Sequence, residues 1–224
     1  MGSLRTVLHA ANCLLYAAFI PTFVLVMPWT TAILDADRSA FLAVNGAHSP
    51  AADDFFWYVS DPRVWIPVYA FFLVLIKLRW GWRGLWWSLP VAALMILCTD
   101  TGSVLLFKNT VQRLRPSHAE DLNGLVHLVR NSDGELYMGG LYGFISSHAS
   151  NHFGIAAFMT GILLRRPRWT LWALMGWAAL IAYSRVYLGV HYPGDVIVGA
   201  IYGALIGWLA FRAFLYLHER NAQA

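Results

Sequence analysis

Six apolar runs set the predicted architecture of this chain. They lie at about 7 to 27, 64 to 78, 85 to 107, 147 to 164, 169 to 187 and 196 to 217. Most are close to the roughly 17 to 25 residues with which an α-helix crosses the hydrocarbon core of a bilayer, and the second is the shortest. The pattern predicts an all-α fold: a polytopic membrane protein built as a six-transmembrane-helix bundle.

Charged residues between the runs predict the orientation of the bundle. Basic residues collect on one side: Arg5, Lys77, Arg79, Arg83, Arg165, Arg166, Arg168, Arg212 and Arg220. Acidic residues collect on the other: Asp35, Asp37, Asp53, Asp54, Asp61, Glu120, Asp121, Asp133, Glu135 and Asp195. Because cytoplasmic loops carry the excess of Lys and Arg, both termini are predicted to be cytoplasmic.

Composition agrees with a membrane protein. Hydrophobic residues make up 58% of the chain and charged residues only 12%, whereas roughly a quarter of residues are charged in soluble domains. No linker or charge block divides the sequence, so a single membrane-embedded domain is predicted over residues 1 to 224. The net charge of +4 follows the orientation pattern and does not indicate nucleic-acid binding. Cys13 and Cys98 lie in apolar runs, where cysteine acts as a small hydrophobe rather than a disulfide partner.

Three segments have more than one interpretation. The first run fits a span, although a signal peptide would share its apolar character. Residues 29 to 63 are mildly amphipathic and are predicted to form interfacial helices on the outer side; a solvated connecting segment is the alternative. Gly199, Gly203 and Gly207 lie four apart in the last run, which allows close contact with another helix. We expect that contact inside the bundle rather than at a dimer interface.

In this topology three separated stretches open onto the same outer face. They are Lys108 with Arg115, then Ser146, Ser147 and His148, and finally Arg185 with His191 and Asp195. Together they supply fixed positive charges, a helix N-terminus, two imidazoles and a carboxylate. These groups suit a site that grips a phosphate and attacks it.

Each stretch also has a structural interpretation. The Ser146-Ser147 pair fits an ordinary N-cap, which is compatible with phosphate binding because a helix start exposes unpaired N–H groups. Asp195 would cap the last helix beside a loop histidine, or it would hold one nitrogen of His191 and leave the other unprotonated for attack. Arg113 alone is best explained by a phospholipid headgroup.

His152 and Asp100 are two further candidates for the site. His148 and His152 are four positions apart, a spacing able to bind zinc, but no third ligand accompanies them at metal-site spacing, and no metal is expected. Asp100, inside the third run, is by default a functional candidate; hydrogen bonding to Thr99 or another neighbour is the alternative.

The three stretches resemble the signature of the type-2 phosphatidic acid phosphatase superfamily. That signature is Lys, six residues, Arg-Pro; then Pro-Ser-Gly-His; then Ser-Arg, five residues, His, three residues, Asp. The chain keeps this spacing with Lys108 to Arg115-Pro116, Ser146-Ser147-His148, and Ser184-Arg185 to His191 to Asp195. The resemblance covers about residues 95 to 215. In the middle motif Ile145 replaces the usual Pro and Ser147 the usual Gly, which leaves every catalytic group in place.

The resemblance implies a role for each matched residue. His191 would attack phosphorus and form a phosphohistidine, Asp195 would orient it, and His148 would protonate the departing oxygen. The phosphate oxygens would be held by Lys108, Arg115, Arg185, Ser146 and the amide of Ser147. Neither a metal nor a cofactor is implied.

The resemblance also implies an outward-facing lipid phosphatase of a bacterial inner membrane. The substrate it favours is an isoprenyl diphosphate such as undecaprenyl diphosphate; phosphatidic acid, phosphatidylglycerol phosphate and lipid A phosphates are the alternatives. Vanadium haloperoxidases share the superfamily but are soluble, so six spans argue against that activity. A lipid-binding or lipid-translocating protein is the non-enzyme alternative, which needs the basic residues but not two histidines and an Asp at this spacing.

Overall fold

The computed structural model describes residues 28–131, 133–163 and 167–220, and its regular elements are helices. They are α1 Pro28–Gly46, α2 Pro50–Ser60, α3 Ile66–Gly102, α4 Ser147–Ile162, α5 Trp169–Tyr187 and α6 Pro193–Arg220. Strand-like pairing among the described residues is limited to two isolated bridges, Leu114 with Tyr142 and Arg130 with Leu136. The all-α prediction is confirmed.

Contacts divide the chain into two units, after Ala40. The described part of the first unit is the start of α1, where the Ser39 hydroxyl donates to the Asp35 carbonyl at 2.8 Å. The second unit begins at Phe41 and contains the features discussed below. The predicted span at 7 to 27 lies outside the described residues, and the single domain over residues 1 to 224 stays a prediction.

Helix α3 contains most of the second and third apolar runs and reverses direction between them. Its backbone leaves helical geometry at Gly81, where φ is +68°, a conformation that glycine adopts at little cost. The half before Gly81 runs along α4, from Tyr69 against His152 to Trp80 against the Ile162 carbonyl. The second half returns to the first turns of α4. The break predicted between these two runs is therefore a sharp turn at a single glycine.

Helices α4 and α6 pack backbone against backbone. A Cβ on Gly199 would lie 2.8 Å from the Ser146 carbonyl oxygen, and a Cβ on Gly203 would overlap the backbone of Ser150. Gly207 meets α4 in the same way one turn further on. The glycine face predicted for the last run therefore serves packing inside the bundle, and it fixes the first turns of α4 and α6 beside each other.

Two helical segments of the described chain, the first of which turns at Gly81, are long and apolar enough to cross a membrane. They are Pro62–Val111 and Pro193–Arg220, each with a mean hydropathy of 1.8. Large apolar side chains project outward from both segments, including Leu94, Leu97, Ile201 and Leu205, each more than half exposed. Lipid hydrocarbon tails would shield such apolar surfaces, whereas their exposure to water would be unfavourable. Helix α4, with 16 residues, is shorter than these, and the count of six spans stays a prediction. Residues 29 to 63 do form helices, α1 and α2; their interfacial position is also still a prediction.

Candidate active site

The first turn of α4 presents Ser147 and His148, with Ser146 beneath them. Ser146 is the N-cap: its hydroxyl accepts from the Ala149 N–H at 3.4 Å, and its side chain is fully buried. Its own N–H donates to the Asp195 carbonyl at 3.0 Å, which ties α4 to the first turn of α6. The N-cap interpretation and the phosphate-site interpretation of the Ser146-Ser147 pair are therefore compatible, because the residue that caps α4 lies directly beneath the candidate site.

His191 and Asp195 lie together between α5 and α6. The Nδ1 atom of His191 is 3.4 Å from Asp195 Oδ2. That oxygen also accepts the Tyr192 N–H at 3.1 Å, while Oδ1 accepts from Arg113 Nη1 at 2.9 Å. His191 and Asp195 are almost completely buried. The Arg113 guanidinium also stacks over the Tyr192 ring, 3.8 Å from its centroid.

Arg115 identifies the free nitrogen of His191. Its Nη1 lies 3.1 Å from His191 Nε2. Because a guanidinium only donates, Nε2 must accept, and the ring proton is then on Nδ1, facing Asp195. Burial first, and then the positive charges of Arg115, Arg185 and Lys108, hold the pKa of His191 well below its ordinary value. The histidine is therefore neutral at neutral pH with its lone pair on Nε2.

Two backbone carbonyls hold Arg115 in this position. Arg115 Nε donates to the Tyr142 carbonyl at 3.2 Å, and Nη1 donates to the Val190 carbonyl at 3.3 Å. Burial, and then the charge of Arg185, lower the pKa of Arg115 to about 10. Arg115 therefore remains protonated at neutral pH and supplies a fixed positive charge beside His191 Nε2.

Arg185 is the second buried guanidinium. Its Nη1 bonds the Ser60 hydroxyl, and its Nη2 donates to the Tyr137 hydroxyl at 2.8 Å. Its Nε is buried and has no hydrogen-bond partner among the described residues. A buried donor normally has a partner, so this N–H is available for an oxygen of a bound ligand.

Lys108 is positioned by the residue that replaces the usual glycine of the middle motif. Its Nζ donates to the Ser147 hydroxyl at 2.7 Å, and the same hydroxyl is 2.6 Å from that of Ser103. Lys108 is the last residue of the π-helical turn Ser103–Lys108 that follows α3. The substitution therefore adds a contact that a glycine could not make.

These groups line one end of a cavity of about 690 Å³. The residues at this polar end are Lys108, Arg115, Tyr137, Ser147, His148, Arg185 and His191. The rest of the wall comes largely from apolar side chains of α3 and α4, among them Phe72, Ile76, Met95, Ile155 and Phe158. The cavity can therefore hold an anion at one end and hydrocarbon along the remainder.

Residues 85–219 match the model of the PAP2 superfamily. The chain belongs to this superfamily. It is 38% identical to a lipid A 4'-phosphatase of Bacteroides thetaiotaomicron over 79% of this chain and 76% of that protein. It is 33% identical to a lipid A 4'-phosphatase of Porphyromonas gingivalis over 84% of this chain and 77% of that protein. The family predicted from the three motifs is thereby confirmed.

More distant matches agree with the PAP2 fold. An undecaprenyl-diphosphatase of Sulfolobus acidocaldarius is 32% identical over 66% of this chain and 62% of its own length. Among solved structures, a transmembrane PAP2-type phosphatidylglycerolphosphate phosphatase from Bacillus subtilis superposes with a TM-score of 0.59 at 20% identity. The match covers 94% of this chain and 96% of that one, and it supports the fold alone. Together the family and the relatives support phosphatase activity at a membrane.

The PAP2 structure gathers most residues predicted for the site. Six of the eight line the polar end directly, whereas Asp195 lies behind His191 and the Ser146 hydroxyl caps α4. Three contributors escaped the sequence interpretation: Ser60 and Tyr137, which hold Arg185, and Arg113, which pairs with Asp195 rather than standing free for a headgroup. Arg113 offered a signal, because it is a basic residue on the acidic side two positions before Arg115. Ser60 and Tyr137 offered none.

The zinc interpretation of His148 and His152 is disfavoured by hydrogen bonding. His152 Nδ1 lies 2.8 Å from the His148 carbonyl, and Nε2 lies 3.0 Å from the Tyr69 hydroxyl. Both ring nitrogens of His152 are thus engaged, and neither is left for a metal. The described residues contain no group of three potential metal ligands.

Proposed function

We propose that this PAP2 member is a lipid A phosphatase that works through a phosphohistidine. The observation that carries the chemistry is the alignment of Arg115, His191 Nε2, His191 Nδ1 and Asp195 at the polar end of a largely apolar cavity. The observation that favours the substrate is the similarity to two lipid A 4'-phosphatases over about three quarters of their length. The substrate order expected from the sequence, with isoprenyl diphosphate first, is therefore changed.

In the first step His191 Nε2 attacks phosphorus. A nitrogen–phosphorus bond forms while the bond between phosphorus and the ester oxygen breaks. His148, whose charged form is favoured by the negative charge of the bound phosphate, gives its proton to that oxygen. Asp195 stabilises the positive charge that develops on the His191 ring, because its carboxylate faces Nδ1. The products are the dephosphorylated lipid and phosphohistidine.

In the second step water releases the phosphate. Neutral His148 takes a proton from the water as its oxygen attacks phosphorus, and the nitrogen–phosphorus bond breaks. Inorganic phosphate leaves, and His191 regains its lone pair on Nε2. Each histidine ends the cycle in the protonation state in which it began.

The cations would hold the oxygens that do not react. Arg115 Nη1 contacts His191 Nε2, so a phosphate oxygen that accepts this N–H brings phosphorus close to the attacking nitrogen. The unpartnered Nε of Arg185 and the Nζ of Lys108 would complete the cradle, with the N–H groups of the first turn of α4. Because side chains supply the positive charge, we expect activity to survive EDTA and to be inhibited by vanadate.

The apolar part of the cavity supports a lipid rather than a soluble substrate. Side chains of α3 and α4 line it next to the polar end, so a tail can stay in hydrocarbon while its phosphate reaches His191. We place the site on the exterior face of a bacterial inner membrane, with both termini cytoplasmic, because basic residues collect on the opposite side.

A second candidate substrate is undecaprenyl diphosphate. The match to an undecaprenyl-diphosphatase over 66% of this chain favours it, and the same histidine chemistry would cleave its terminal phosphate. The non-enzyme interpretation has less support, because lipid binding alone needs no buried pair like His191 and Asp195.

Phosphate release by the purified full-length protein tests the proposal. Lipid A, phosphatidic acid, undecaprenyl diphosphate and glucose 6-phosphate are compared in the same detergent micelles, with and without EDTA. We expect kcat/KM to be highest for lipid A and lowest for glucose 6-phosphate, and an acid-labile, base-stable phosphoryl group on His191. Equal kcat/KM for glucose 6-phosphate and every lipid contradicts the lipid assignment; a preference for undecaprenyl diphosphate overturns only the choice of substrate.

A further inference from the structure

Two polar contacts connect α3 to α4 beside the site, one above the other. The upper contact joins the hydroxyls of Ser103 and Ser147 at 2.6 Å. The lower joins the Thr99 hydroxyl to Asn151 Oδ1, also at 2.6 Å. Thr99 is four residues before Ser103, and Asn151 is four residues after Ser147. Four residues are about one helical turn, or roughly 5.4 Å along the axis. The lower contact therefore lies one turn away from the phosphate cradle, toward the apolar end.

Asp100 and Asn151 line the cavity at this lower level. Asp100 is exposed and follows Thr99 in α3, and Asn151 is half-buried in α4. Neither residue has a part in the phosphate chemistry. A carboxylate this close to the cradle repels a phosphate, so gripping the phosphate does not account for Asp100.

The hydrogen-bonding capacity of the pair is complementary. The Thr99 hydroxyl donates to Asn151 Oδ1, which leaves the two amide N–H groups of Asn151 as its remaining donors. The Asp100 carboxylate only accepts. A ligand group that meets both must accept from one and donate to the other, as a hydroxyl or a secondary amide does.

We propose that Asp100 and Asn151 form a subsite for the hydroxyl and amide groups of an acylated amino sugar, next to the phosphate that is removed. This inference rests on the proposed lipid A phosphatase activity and names residues that select its substrate. The ester oxygens of phosphatidic acid only accept, so Asp100 repels them. In undecaprenyl diphosphate the neighbour of the removed phosphate is a second phosphate, whose oxygens only accept and whose negative charge Asp100 repels. The pair therefore favours a sugar headgroup over both.

Two variants test the subsite while every proposed catalytic side chain stays in place. Asp100→Asn keeps the shape and removes the charge. Asn151→Ala removes the amide, and Thr99 keeps acceptors in the Met95 and Ile96 carbonyls, each at 3.1 Å. We expect each variant to lower kcat/KM on lipid A about tenfold or more, because a site built to hydrogen-bond a substrate hydroxyl loses much of its activity when that bond is removed. On phosphatidic acid we expect a change within about twofold.

Matched controls are Asp54→Asn and Asn109→Ala, two exposed residues outside the cavity wall, which should leave both rates unchanged. A measurement on wild-type protein remains decisive if a variant does not fold. An acylated glucosaminide without phosphate should inhibit phosphatidic acid hydrolysis, and diacylglycerol at the same concentration should not.

The outcomes separate the subsite from the activity. Equal losses on both lipids would mean that Asp100 acts through the phosphate cradle, and no loss on lipid A would mean that it does not contact the headgroup; either overturns the subsite. Equal inhibition by the two phosphate-free lipids overturns it as well. Wild-type protein that hydrolyses phosphatidic acid but not lipid A overturns the subsite while lipid phosphatase activity stands. Wild-type protein that hydrolyses no lipid phosphate overturns the proposed function itself.

Discussion

The helix pair α4 and α6 and the irregular segment 109–146 both bring groups to the site, but different contacts hold them. In the helix pair, backbone packs on backbone, as where Gly203 meets Ser150. Such a contact has no side chain that can adjust. The first turns of α4 and α6, which carry His148 and Asp195, are therefore held at a fixed separation.

The described residues of segment 109–146 have little regular structure. Leu122 anchors the segment in an apolar cluster with Phe41, Val186 and Tyr192, whereas individual hydrogen bonds hold the groups that the segment brings to the site. Arg113 bonds Asp195 at 2.9 Å, and Tyr137 bonds Arg185 at 2.8 Å. Each of these bonds can be removed by one substitution without altering a helix. The backbone bond from Gly143 N–H to the Arg113 carbonyl would remain.

This difference indicates that the helix pair fixes the positions of the proposed catalytic groups, whereas the segment contributes contacts that orient or neutralise them. His148 and Asp195 lie in the first turns of two interlocked helices, and His191 lies two residues before α6, so small displacements of these proposed catalytic groups are costly. Groups that orient or neutralise come partly from the segment, where losing one contact leaves the others in place. Substitutions should therefore have graded effects, largest at the nucleophile and smallest at the outermost hydrogen bond.

The largest effect is expected for the nucleophile. His191→Ala should reduce phosphate release by about 10⁴-fold or more, because no neighbouring group can form the covalent intermediate. His118→Ala is the matched control, since this histidine bonds Ser117 and does not line the cavity. Activity near that of wild type in His191→Ala would remove the phosphohistidine from the mechanism.

The helix pair gives the second prediction. In Gly203→Ala the new Cβ overlaps the Ser150 backbone, so α4 and α6 must separate. Overpacking of this kind costs about 1–3 kcal/mol, and a misplacement near 1 Å lowers rates about 10²-fold. Thermal unfolding in detergent and kcat should both fall.

Gly176→Ala in α5 is the control for the helix pair. Its Cβ meets no atom within 4 Å, so it should keep wild-type stability and rate. If both alanine variants behave alike, close packing of α4 on α6 does not set the geometry of the site.

The sequence predicted the helix pair better than the segment. The runs at 147 to 164 and 196 to 217 correspond to α4, Ser147–Ile162, and α6, Pro193–Arg220, because apolar periodicity and length are local properties. The glycine spacing in α6 was visible for the same reason. Helical order therefore follows from neighbours in the sequence.

Contacts made by the segment could not be predicted in that way. Tyr137 bonds Arg185 across 48 residues, and Ser60 bonds it across 125. Neither residue lies in a periodic pattern or a motif. Motif spacing predicted the groups proposed to touch phosphate, since the chemistry limits them to a few residue types. Residues that hold those groups need only one suitable polar atom, which many residue types provide.

The third prediction removes an attachment of the segment. Arg113→Ala should lower kcat by about 10- to 100-fold with little change in KM, because Asp195 loses the partner of its Oδ1 while remaining buried. Arg130→Ala, an exposed arginine of the same segment that bonds the Gly134 carbonyl, should change neither constant. A raised KM with unchanged kcat, sensitive to salt, would support the headgroup role expected for Arg113 from the sequence.

The smallest effect is expected at the Tyr137 hydroxyl. Tyr137→Phe removes the acceptor of Arg185 Nη2 but keeps the ring, whose centroid lies 5.4 Å from the guanidinium carbon and which packs edge-on against Trp57. Ser60 still holds Nη1, so the guanidinium keeps one of its two side-chain bonds. Losing one hydrogen bond of this kind costs about 1 kcal/mol, or roughly fivefold.

The loss should appear in KM more than in kcat. A bound phosphate itself orders Arg185 once an oxygen meets Nε, so the missing bond weakens assembly of the complex rather than the chemical step. Kinetics on lipid A in micelles measure the split, with Tyr58→Phe as the control because that ring is 64% exposed and outside the cavity wall. A fall of 100-fold or more in kcat would mean that the Tyr137 hydroxyl contacts the reacting phosphate directly, and the segment would then supply catalysis as well as grip.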